Sequence, residues 1–135
     1  MKTLRIALVL SLAAPAAFAG DGIDIRPGRD ETVFGNCVPS LLARNRSGET
    51  IGYLQVDLAL TLRNGQERTV ELKSAYREGV PAPVVPGAQT TLRQHLDTSR
   101  AIGVPCGEIA HRKAIATVCL TERGTPCASS VEVKP

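Results

Sequence analysis

The chain has 135 residues, a formal net charge of +3, two Phe, two Tyr and no Trp. That length suits one small domain with one core, and the core must be aliphatic. So modest a charge argues against nucleic acid or an anionic membrane surface as partner, and beyond the N-terminal region no apolar run is long enough to span a bilayer.

The N-terminus carries a short basic segment with Lys2 and Arg5, then an apolar run from Ile6 to Ala14, then Ala17-Phe18-Ala19. Charge, apolar stretch and small-residue exit come in the order of a secretory signal peptide, which separates the segment from a buried N-terminal helix. Residues 1–19 are therefore expected to leave, with cleavage before Gly20. Export goes to the periplasm or beyond the cell. No cysteine sits just after the cleavage point, which argues against a lipoprotein anchor. Loss of Lys2 and Arg5 lowers the formal charge from +3 to +1.

Residues 20–30 are small, charged and broken by Gly and Pro, and are expected to form a loose arm. The domain proper is expected over 31–135. Glu31 to Phe34 suggests a short strand ending at Gly35-Asn36, and Leu41 to Asn45 a second. Arg46 to Glu49 suggests a turn. The clearest element comes next. Leu54, Val56, Leu58, Leu60 and Leu62 take every second position, against Gln55, Asp57, Thr61 and Arg63. That period predicts a strand buried on one face. Asn64-Gly65 then suits a type I′ hairpin turn, and Val70 and Leu72 resume the alternation.

Tyr76 to Val85 differs from its surroundings. Its prolines leave few donors for a sheet ladder, so it predicts an edge, a crossover or an exposed loop. Tyr76 and Arg77 are residue types favoured at interface centres, and the prolines after them stiffen the segment. Tyr76, Arg77, Val80, Val84 and Val85 are the candidate protein-binding residues, against the plainer reading of a crossover whose valines cap the core. Thr90 to Leu96 suggests another strand and Ile102 to Ile109 a corner. Lys113 to Leu120 is apolar on both alternating faces, which predicts a strand buried on both sides. Val131 and Val133 close the chain inward.

About seven strands with regular turn signals and no amphipathic helix point to an all-β fold, an antiparallel immunoglobulin or fibronectin type III-like β-sandwich. A small closed barrel is the competitor. The four cysteines, Cys37, Cys106, Cys119 and Cys127, lie in the exported part, where an even count argues for disulfides. The hairpin-like loop from Thr121 to Pro126 favours Cys119–Cys127, leaving Cys37–Cys106. No Cys-x-x-Cys or His-x-x-x-His spacing suggests a reactive thiol or a metal site, and no Gly-rich phosphate loop suggests a cofactor. His95, His111, Ser99, Asp57 and Glu108 could be assembled into a catalytic set only by imagination, since Ser99 lacks a nucleophile elbow.

At Asn36-Cys37-Val38-Pro39-Ser40-Leu41, Asn45-Arg46-Ser47-Gly48, Leu54-Gln55-Val56-Asp57-Leu58 and the three later cysteines, the chain resembles the small exported bacterial proteins typified by the interleukin receptor mimic of pathogenic Escherichia coli. The resemblance implies a fibronectin type III-like fold, a protein-binding role without catalysis, and domain-swapped homodimers. No binding residue carries over with it. The sequence thus reads as an exported non-catalytic domain that binds another protein. The alternatives are a periplasmic immunity or inhibitor protein and a small envelope enzyme.

Overall fold

The computed structural model describes residues 22–74, 76–77, 80–95 and 100–134, with the backbone alone at 76, 77, 80 and 81. The residues expected to form the signal peptide lie outside that set, as does Ser99. Among the described residues no helix is long and apolar enough to cross a membrane.

Among the described residues eleven strands form: β1 (Ile23–Pro27), β2 (Glu31–Val33), β3 (Asn36–Val38), β4 (Ser40–Asn45), β5 (Ile51–Leu62), β6 (Glu67–Lys73), β7 (Tyr76–Arg77), β8 (Val80–Pro81), β9 (Gln89–Arg93), β10 (Ile109–Thr121) and β11 (Val131–Val133). Seven of them hydrogen-bond in the order β10-β5-β6-β9-β4-β1-β11. β6 and β9 meet through a single residue pair, Lys73 with Arg93. The order therefore folds at that point into two layers, β10-β5-β6 and β9-β4-β1-β11, an all-β sandwich. All the pairings are antiparallel except β1 with β11.

The core is aliphatic, as the scarcity of aromatics requires. Leu54, Val56, Leu58 and Leu60 from β5 and Val70 and Leu72 from β6 pack with Ile23 and Ile25, Leu41 and Ala43, and Leu92 of the other layer. Every second residue of β5 from Leu54 onward is buried, so the alternation in the sequence matches the burial.

Four expectations are corrected. The segment 20–30 is not a loose arm beyond residue 22. Ile23 and Ile25 are fully buried and β1 sits between β4 and β11, because two inward isoleucines on a strand outweigh the flanking Gly and Pro. The turn at Asn64-Gly65 is not type I′, since Gly65 has φ 84° while Asn64 has none of the positive φ that the type demands. Gly65 N–H donates to Leu62 O and Leu62 N–H to Gln66 O, so a three-residue loop with a left-handed glycine closes the hairpin.

β10 is not buried on both sides. It is the end strand of its layer, with Ile115 51% and Val118 39% exposed. Its many small side chains make both faces read as apolar without filling a core. Finally, Val84 is 5% exposed and packs in the core, where it bridges to Ile51.

Candidate functional site

Two cross-links brace the sandwich. Cys37 is bonded to Cys106, 69 residues on, and Cys119 to Cys127, 8 residues on. Loop-closure entropy assigns about 4 kcal/mol to the long bridge and about 2.5 kcal/mol to the short one. The carboxylate of Asp30 lies with the sulfurs of Cys37 and Cys106 in the one cluster of metal-ligand type among the described residues. Both sulfurs are spent in the disulfide. Asp30 accepts from Ser40 N–H at 3.0 Å and pairs with Arg112. The group is a structural knot, not a metal centre.

That knot holds the base of a small hairpin. β2 and β3 pair with Val33 opposite Asn36, and Phe34-Gly35 make the turn. Phe34 has φ 49° and Gly35 φ 77°, so both residues have the positive φ of a type I′ turn. Gly accepts that geometry freely. A phenylalanine does so at a cost of about 1–2 kcal/mol. Asn36 Nδ2 donates to Phe34 O at 3.3 Å and supports the turn. Cys37 N–H donates to Val104 O at 2.7 Å, beside the disulfide, so the stem is fixed to the body.

The consequence is an aromatic ring 98% exposed at the tip of a braced projection, with Val33 also exposed beside it. Backbone strain held where no packing rewards it points to function. Strand periodicity misses Phe34, because it places the residue at the end of a strand. Phe then Gly then a polar residue, between two short β-prone runs, is the signal that could find it.

The candidate binding segment is divided by the structure. β7 and β8 pair, with Tyr76 opposite Pro81 and Arg77 opposite Val80, and the side chains of all four lie outside the description. Val84 belongs to the core, while Val85 is 53% exposed. Asn45 explains why the chain turns inward at Val84. It is buried, and its Nδ2 donates to Val84 O at 2.9 Å and Glu49 O at 2.7 Å, while Oδ1 accepts from Ser47 N–H and Oγ.

The residues weighed for catalysis are not gathered into one described site. Asp57 lies on the outer face of β5 and accepts from Gln55 Nε2 at 2.7 Å. His111 is exposed on β10, and His95 is half-buried beyond β9. The carboxylates with described partners are used structurally. Glu49 accepts from Ala128 and Ser129, and these hydrogen bonds hold it below the ordinary glutamate range. Burial pushes Asp24 upward, but Arg26 and Lys134 outweigh it and leave that carboxyl below its usual value.

No protein-family model matches the chain, and no curated protein matches it. A solved structure does: that of IrmA from Escherichia coli superimposes with a TM-score of 0.51 at 17% identity, over 73% of this chain and 76% of that one. At that identity the likeness concerns the fold.

Proposed function

We propose that this chain is an exported, non-catalytic β-sandwich of the periplasm or the extracellular space that binds another protein through the tip of the β2–β3 hairpin. The observation that carries the reading is Phe34, nearly fully exposed in a strained turn on a stem anchored by Cys37–Cys106. A large ring on a rigid mount loses little entropy on binding and buries much area, the features of an interface anchor. Export is supported by the signal-like N-terminus and by two disulfides, which persist in oxidising compartments. Val85, exposed at the end of β4 away from the hairpin, and the β7–β8 segment are a separate candidate surface.

The test is recovery of partners from cell-envelope extracts by the mature, oxidised protein and by its Phe34→Ser variant. Retention of a specific partner by the parent and its loss in the variant, at unchanged thermal stability, is the expected result. Equal recovery by both sinks the hairpin as binding site. A second reading is favoured by the same shape. A lone aromatic on a narrow braced hairpin also suits a plug for an enzyme cleft, so an immunity or inhibitor role is separated by asking whether the recovered partner is an enzyme that the protein silences. The swapped homodimer belongs to the same proposal and is read from the protein's sedimentation.

A further inference from the structure

In immunoglobulin-type sandwiches the last strand lies beside the one before it, in the same sheet. Here the chain starts that way and then departs. After β10 it turns at Glu122–Gly124, Pro126 bridges to Leu120, and Cys127 N–H donates to Cys119 O at 3.0 Å beside their disulfide. At Ala128 and Ser129 the carboxylate of Glu49 takes both backbone N–H groups, at 3.1 and 3.0 Å, and the Ser129 hydroxyl at 2.8 Å. The chain then crosses to the other layer, where Ser130 O accepts from Ile23 N–H and β11 runs parallel to β1.

The position beside Ile109–Val118 is therefore left without a strand among the described residues. A groove of about 540 Å³ opens there, between β10 and β11. Its floor is apolar, from Pro27, Leu41, Leu58, Ala114 and Val133. His111 and Lys113 stand at its rim. Arg112 and Lys134 also line it, but are paired with Asp30 and Asp24. The register of β10 against β5 sets His111, Lys113, Ala116 and Val118 on the outer face and Arg112, Ala114 and Thr117 on the inner one.

We propose that this edge receives an extended segment of a partner protein, apolar on its inner side and acidic on its outer side, which pairs with β10 and completes the β6-β5-β10 layer. The groove runs along the end strand of the layer, and an edge strand offers unpaired backbone groups to an incoming one. Apolar residues on alternate positions of the incoming segment meet Leu41, Leu58 and Val133. Acidic residues on the other positions meet Lys113. A second copy of β10 would instead bring another unpaired Lys113 to the same edge, which is electrostatically unfavourable. The register breaks of β10 at Ile109/His111 and Ala114/Ala116, together with Lys113, deter indiscriminate pairing and so favour a matched segment.

The inference rests on the protein-binding reading but not on Phe34, so the two fail separately. The probe is the synthetic peptide Thr-Val-Glu-Val-Thr-Val-Glu-Val-Thr, added to the mature oxidised protein. Binding by calorimetry, with slowed amide exchange confined to Ile109–Val118, is expected, and Phe34→Ser leaves both unchanged. The variant Lys113→Glu lowers affinity about threefold, as loss and reversal of one exposed charge pair implies, and regains it with Lys in place of Glu in the peptide. A peptide N-methylated on alternate amides fails to bind. Absence of binding, equal binding of the N-methylated peptide, or protection of β10 through dimerisation without any peptide overturns the proposal.

Discussion

Ser129 is bound to Glu49 twice, through its backbone N–H at 3.0 Å and its hydroxyl at 2.8 Å, both to the same carboxylate oxygen, Oε2. The two residues are 80 apart in sequence, yet this contact sits where the chain crosses to the layer that the last strand joins. Asn45 sets it up, because its side chain fixes the Ser47–Glu49 turn from which the carboxylate reaches across. Replacing Glu49 with Ala removes the acceptor and leaves the 128–130 crossing held by Ile23 and the Cys119–Cys127 bridge. The expected outcome is faster amide exchange in Val131–Val133 with β5 and β6 unchanged. Uniform exchange throughout the sheet would show that Glu49 does not direct the strand.

Acid acts on the same contact. The hydrogen bonds from Ser129 and Ala128 keep Glu49 below its ordinary value of 4.5, so the folded state binds its proton less readily than the unfolded chain does. Such a group contributes stability that is fully present above 4.5 and is lost as pH falls through the lower folded value. Asp24, also held low, acts in the same direction. Thermal midpoints measured from neutral pH downward are expected to fall through that range, with a shallower fall in Glu49→Gln. An acid limb of unchanged slope in the variant would remove Glu49 from the account.

How far the amino-acid pattern reveals the fold depends on how local the cause is. The alternation of Leu54 to Leu62 is a property of neighbouring residues, and the strand is there with its buried face. The two disulfides are legible from the even cysteine count behind a signal-like N-terminus and from the short loop before Cys127. The burial of β10 is not, because Ala114, Ala116 and Thr117 are small enough to look like core while lying at an edge. The lack of a further neighbour for β10 among the described residues is invisible in the pattern, since the crossing that takes the last strand away is held by contacts between residues far apart in sequence. Residue type assigns the tight turn to Asn64-Gly65, whereas the structure puts two positive φ angles at Phe34-Gly35, where the first residue is an unfavourable choice.

The place of β1 in the core makes a direct prediction. Ile25 is fully buried and lies opposite Ala43 and Val133 on its two neighbours. Ile25→Ala is expected to cost about 2–5 kcal/mol in urea unfolding, as truncations of buried aliphatic side chains do. A loose N-terminal arm would give no measurable change.

The two bridges separate in the same assay. Replacing Cys37 and Cys106 by Ala is expected to lower stability by about 4 kcal/mol, and replacing Cys119 and Cys127 by about 2–3 kcal/mol, because the closed loops differ in length. The long bridge also anchors the β2–β3 stem beside Val104. Its removal is expected to weaken partner recovery more than the short one does, even at temperatures where both variants remain folded. Equal weakening would mean that the stem does not depend on it.

Phe34 offers the cleanest division between stability and function. The ring makes no buried contact that a substitution could lose, and its backbone sits at φ 49°. Asn tolerates the left-handed region, and Asn-Gly is a favoured pair for this turn. Phe34→Asn is therefore expected to raise stability by roughly 0.5–1 kcal/mol through relief of strain. The Asn36 support is retained, since it is made to the backbone carbonyl. Partner recovery is expected to fall in the same variant, because the exposed ring is gone. A gain in stability with recovery intact would leave the strain unexplained and the hairpin without its proposed role. A loss of stability would mean that the ring packs against the body of the protein.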